Sequence, residues 1–82
     1  MTLSDLDRKG SGIVEAVEDA TPRDPVARRL RELGFVPGEM VDVVALAPMG
    51  GDPILVQVGF TRFALRRAEA ARVRLRSTAA RA

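Results

Sequence analysis

Chemistry in a chain this small would have to come from its carboxylates, serines and single lysine, because histidine and cysteine are both absent. Losing histidine removes the commonest general base and the commonest nitrogen ligand for metals. Losing cysteine removes thiolate sites and disulfides alike. The eleven acids are scattered along the sequence. Glu39 and Asp42 come close together, but on a strand their spacing sends them to opposite faces. Carboxylates alone would in any case favour hard cations over iron or zinc. Serines stand at positions 4, 11 and 77 with no base to activate them. Gly10-Ser11-Gly12 is too short for a phosphate-binding loop, which needs a lysine after its glycines and a helix behind them. No catalytic, cofactor-binding or metal-binding residue is therefore singled out, and the chain is not expected to be an enzyme.

The elements that would position any working surface are short and punctuated by glycine and proline. Leu3 and Leu6 sit in a leading turn, placed to cover one end of a core. Ile13 to Val17 reads as a first strand with imperfect alternation. Asp24 is a good helix N-cap and Pro25 suits the first helical position. Val26, Leu30 and Leu33 then recur on one helical face. Gly34 fits the left-handed position that ends a helix, and Pro37-Gly38 marks a turn.

From Glu39 the period drops to two. Val41, Val43 and Ala45 read as one face of a strand, with Met40, Asp42, Val44 and Leu46 on the other. Pro48 to Pro53 is a hairpin connection. The return strand points Ile54, Val56 and Val58 inward. Phe63 and Leu65 continue the pattern, Ala68 to Ala71 makes one helical turn, and Val73 and Leu75 alternate with arginines. Five short strands and one short helix predict an all-β fold, a small five-stranded barrel of SH3-like topology with an OB-type barrel as the alternative. The domain is expected to span residues 1–76, with 77–82 as a frayed tail.

Charge is uneven although the net is only +2. Beyond residue 61 there are seven arginines against one acid, Glu69. Such a region can meet nucleic acid, anionic lipid or an acidic protein face, or simply protect a sheet edge. Single-strand nucleic-acid binding wants aromatic platforms, and the chain has three phenylalanines and no other aromatic residue. Nucleic acid is accordingly the lesser expectation. Leu46, Met49, Leu55 and Phe60 fall off the assigned core face, and an apolar cluster rimmed by arginine suits a protein partner or a homo-oligomer contact. The acidic N-terminus and the lack of a long apolar run predict a cytoplasmic protein without membrane insertion.

Leu30-Arg31-Glu32-Leu33-Gly34-Phe35-Val36-Pro37-Gly38 resembles the signature of the bacterial ferrous-iron transport protein A family. Ala47 to Ile54 is similar to that family's hairpin and Ala64 to Ala70 to its strand-to-turn element. The opening Leu3-x-x-Leu6 with Gly10 and Gly12 agrees too. Departures are the long connection at Pro22 to Pro25 and the Phe60-Thr61-Arg62 approach to a strand. The resemblance implies an SH3-like barrel and no catalytic residues. It also implies a partner, the membrane ferrous-iron transporter that carries a cytosolic GTPase domain. The partner-binding residues expected from exposure and resemblance together are Leu46, Met49, Phe60, Arg28, Arg31, Phe35 and Pro37. The barrel is also similar to the C-terminal domain of iron-dependent repressors of the diphtheria toxin repressor type, without their DNA-reading helices.

Overall fold

The computed structural model describes residues 1–77. Its elements run as a 3-10 turn at Leu3–Asp5, β1 (Ser11–Val17), α1 (Pro25–Leu33), β2 (Met40–Leu46) and β3 (Ile54–Val58). β4 (Thr61–Leu65), α2 (Arg67–Ala70) and β5 (Val73–Ser77) complete the order. The strands form one antiparallel sheet in the order β4-β3-β2-β1-β5, curled into a small SH3-like barrel, the expected topology in place of the OB-type alternative. Of the expected tail, Ser77 pairs with Gly12 at the end of β5. The remainder lies outside the described residues.

The helix is built as its sequence dictates. Asp24 accepts a bond from the Val26 amide at 2.9 Å, and Pro25 stands at the first helical position. Gly34 ends the helix at φ 117°, a conformation that a side chain would strain. Its buried face offers Ala27 and Leu30 to the barrel. The core then takes Leu3 and Leu6 from the leading turn, Phe35 from behind the helix, and the inward residues of every strand.

Two β-bulges set which side chains face inward. In β1 the register shifts between Val14 and Ala16, so Glu15 is the extra residue and Val14 and Val17 both point inward. That explains the broken alternation of this strand. In β2 the shift lies between Val43 and Ala45, with Val44 extra. Beyond it the faces exchange. Ala45 pairs with Leu55 on the outer face, and Leu46 pairs with buried Ile54. The assignment of Ala45 inward and Leu46 outward is therefore corrected: Leu46 is half-buried and packs against the core.

The phenylalanines also divide. Phe35 is 0% exposed and lies 5.9 Å, centroid to centroid, from the half-buried Phe63 at the margin of the core. Phe60 stands wholly in solvent, at 104% relative exposure. Phe35→Ala should lower the unfolding free energy by about 3–5 kcal/mol, a large share of a small domain's total. Phe60→Ser should change it by less than about 0.5 kcal/mol. Urea midpoints of the two variants against the parent check this, and similar losses for both would contradict the placement.

Candidate interaction surface

Among the described residues, three of the five exposed large apolar side chains, Val36, Met40 and Phe60, lie at one end of the sheet. A two-residue turn, Gly59-Phe60, joins β3 to β4, with Val58 opposite Thr61. Gly59 takes φ 61°, as the first central position of such hairpin turns demands. The turn leaves Phe60 at its tip with no packing partner. Beside it runs the loop that follows α1, where Val36 is exposed and Leu33 is half-buried. Leu33, Val36, Val58, Phe60 and Thr61 are among the residues lining a groove of about 240 Å³ between turn and loop. Pro37 is exposed on the same loop, and Met40 is exposed at the start of β2.

The other expected residues lie elsewhere. Met49 is 89% exposed, but in the β2–β3 loop. That loop is at the far end of β3 from Phe60, about 17 Å away for a five-residue strand. Leu46 lines a second, wholly apolar groove of about 230 Å³ near that loop, with Ala45, Pro53, Leu55 and Ala64. Leu46, Met49 and Phe60 thus do not form one cluster. Phe35 is enclosed in the core and offers nothing to a partner, which corrects its inclusion among contact residues. Val36 and Met40 were missed. Their signal was available, since Met40 falls on the outward parity of β2 and Val36 lies beside a turn-forming proline.

The arginines are less free than their number suggests. Arg31 donates to the Val17 carbonyl at 2.7 Å and to Asp19 at 3.0 Å, tying the helix to the end of β1. Arg28 is exposed and only loosely paired with Glu32 at 3.6 Å. With Arg23, Asp19 and Asp24 these two line a polar cleft of about 470 Å³. Arg67 donates to Ser4 O at 2.7 Å and to Gly51 O at 3.1 Å, strapping the leading turn to the β2–β3 loop. Arg72 donates to Asp24 and to Ala68 O. Arg74 pairs with Glu18 at 2.9 Å.

The buried carboxylate at the centre is Asp24. It accepts from Arg72, from the Ala20 amide at 2.8 Å and from Val26. The Arg72 guanidinium foremost, then those amides, holds its pKa down to about 2 against desolvation. Among the described residues no three carboxylates come together as a metal site would need, and no helix is long and apolar enough to cross a membrane.

The family model for the FeoA domain matches residues 1–77. The chain belongs to the FeoA family. A FeoA from Stenotrophomonas maltophilia, crystallised with zinc, is 60% identical, with a TM-score of 0.87 over 93% of this chain and 89% of that one. That protein is described as a procaryotic SH3 domain protein and a candidate activating factor of bacterial ferrous iron transport. The FeoA protein of Chlorobium tepidum is 36% identical, with a TM-score of 0.81 over 95% and 70% of the two chains. A manganese-dependent transcriptional repressor, 19% identical with a TM-score of 0.78, shares the fold over 41% of its own length. No curated protein matches the sequence.

The Asp24 cluster makes a pH prediction. A folded-state pKa depressed from 3.8 to about 2 stabilises the fold at any pH above the ordinary carboxylate value. The contribution fades as pH falls from about 4 through about 2. Asp24→Asn should be less stable than the parent at pH 7, and the difference should shrink towards pH 2. Thermal melts across pH 2–7 measure it; a constant difference would contradict the ionised pairing.

Proposed function

We propose that this FeoA-family chain is a non-enzymatic cytoplasmic adaptor that regulates ferrous-iron uptake. It would bind the cytosolic part of the GTPase-containing ferrous-iron transporter. Family membership supports the pathway. The observation that carries a binding role is Phe60, a wholly exposed aromatic side chain held at the tip of a tight turn beside a groove that mixes Leu33, Val36 and Val58 with Glu39 and Thr61. A soluble domain gains nothing in its own stability from such a residue, whereas aromatic anchors beside a pocket dominate protein interfaces.

In this reading Phe60, Val36 and Pro37 form the anchoring patch, with Leu33 flooring the groove. Arg28 and its exposed neighbours on α1 lie outside the patch and act on encounter rate more than on affinity. Met49, at the other end of the sheet, would serve a separate contact. Regulation requires that the adaptor bind one assembly or conformational state of the transporter more tightly than another.

Titration of the purified chain with the transporter's cytosolic domain, at low and high salt, tests this. Saturable binding that weakens only mildly with salt is expected. Phe60→Asp should reduce affinity about tenfold or more while leaving the melting temperature unchanged. Absence of binding, together with nucleic-acid binding that falls steeply and log-linearly with salt, would reject the adaptor role.

A further inference from the structure

The two edges of the sheet are treated differently. At the β5 edge, Leu75 donates its amide to Met1 O at 2.8 Å and Thr2 bridges to Arg74, so the N-terminal residues cover it. At the other edge, among the described residues, β4 has β3 as its only sheet neighbour. In the two-residue hairpin the pairs Val58–Thr61, Val56–Phe63 and Ile54–Leu65 exchange the bonds of the ladder. The amides and carbonyls of Arg62 and Ala64 consequently point away from β3. Both residues are exposed.

The outer face of this edge is patterned. Ala45, Leu55 and Ala64 pair across β2, β3 and β4 as one apolar row, which borders the 230 Å³ groove and ends at the open edge. The next row outward is Asp42, Gln57 and Arg62, with Arg62 Nε donating to Gln57 at 2.9 Å. Arg66 is extended and exposed, so Arg62, Ala64 and Arg66 share the outer face. A small residue at the end of an apolar row is flanked by two cations, while the Arg66 amide is already taken by the Glu69 carboxylate at 2.8 Å, so the backbone open to a new strand is that of Arg62 and Ala64.

We propose that the β4 edge is a docking site for an acidic extended segment of a protein partner, which adds to the sheet as a sixth strand. The backbone of Arg62 and Ala64 supplies its hydrogen bonds. One apolar side chain continues the Ala45–Leu55–Ala64 row, and carboxylates two residues either side meet Arg62 and Arg66. A second copy of the chain, aligned through Ala64, would set Arg62 against Arg66 twice, so the same charges that admit an acidic strand oppose self-pairing. The proposal deepens the adaptor reading, since it rests on the chain acting through a protein partner, but it does not require that partner to be the transporter.

The test is an amide-resolved NMR titration of the full chain with a blocked Glu-Thr-Val-Thr-Glu peptide, with the Lys-Thr-Val-Thr-Lys peptide as control. Expected are saturable shifts centred on residues 61–66 and slowed hydrogen exchange at the Arg62 and Ala64 amides, with the acidic peptide only. The double variant Arg62→Glu/Arg66→Glu should weaken the acidic peptide roughly three- to tenfold and favour the lysine peptide. Ala64→Pro, which removes an outward amide and no ladder bond, should abolish the protection that the acidic peptide gives the Arg62 amide, with a retained melting transition confirming the fold. Shifts located elsewhere, no saturation, or concentration-dependent dimerisation through β4 would overturn the proposal. The transporter's cytosolic domain separates the two readings. Its binding without protection at Arg62 and Ala64 refutes the edge site and leaves the adaptor role. Acidic-peptide binding without transporter binding does the reverse.

Discussion

Asp24 joins three parts of the chain through one buried carboxylate. Its carboxylate holds the Ala20 amide of the β1–α1 loop, the first turn of α1 and the Arg72 guanidinium at the entry to β5. Arg72 in turn reaches the Ala68 carbonyl of α2. A buried carboxylate is tolerable only with such full satisfaction, and here every partner favours the ionised form. Because Phe35 is buried just before it and Gly38 donates its amide to the Val14 carbonyl at 2.8 Å just after it, the loop from Val36 to Gly38 is held from both sides. Its place beside the Gly59-Phe60 turn, and hence the groove between them, follows from those two anchors.

Much of this was legible in the sequence because the decisive signals were local. Asp24-Pro25 and Gly34 bracket α1 by capping chemistry alone, and the alternation of Ile54, Val56 and Val58 survives intact in β3. The bulges were not legible. Glu15 and Val44 carry no residue signature that distinguishes an extra residue from a paired one. Yet the bulge at Val44 exchanges the faces of Ala45 and Leu46. The same limit applies to Phe35 and Phe60. Both follow a glycine directly, but one turn folds its aromatic ring inward and the other projects it, a difference set by what the rest of the barrel places around each.

The split between Met49 and Phe60 arises in the same way. Both are apolar and both fall in connections, so composition groups them, whereas the topology sends successive hairpins to opposite ends of β3. The basic C-terminal third also changes meaning once contacts are assigned. Arg67 and Arg72 spend their guanidiniums on backbone carbonyls and a buried carboxylate, and Arg74 on Glu18. A phosphate backbone needs a stripe of available cations and, for single strands, stacking platforms. Two of the three phenylalanines instead pack against each other, Phe35 in the core and Phe63 at its margin.

A curled sheet that does not close its hydrogen-bond ladder must manage two edges, and short chains have few residues to spare for the purpose. Here the first residues of the chain are used on one edge, through Met1 and Thr2. On the other, among the described residues, the five-residue β4 is guarded by charge, with Glu69 capping the Arg66 amide just past its end. Charge discriminates where a covering segment would simply block: like-charged strands are repelled and oppositely charged ones are not. The two devices therefore differ in consequence. The covered edge is closed to every strand, while the guarded edge stays selective, and its selectivity is written in Arg62, Ala64 and Arg66.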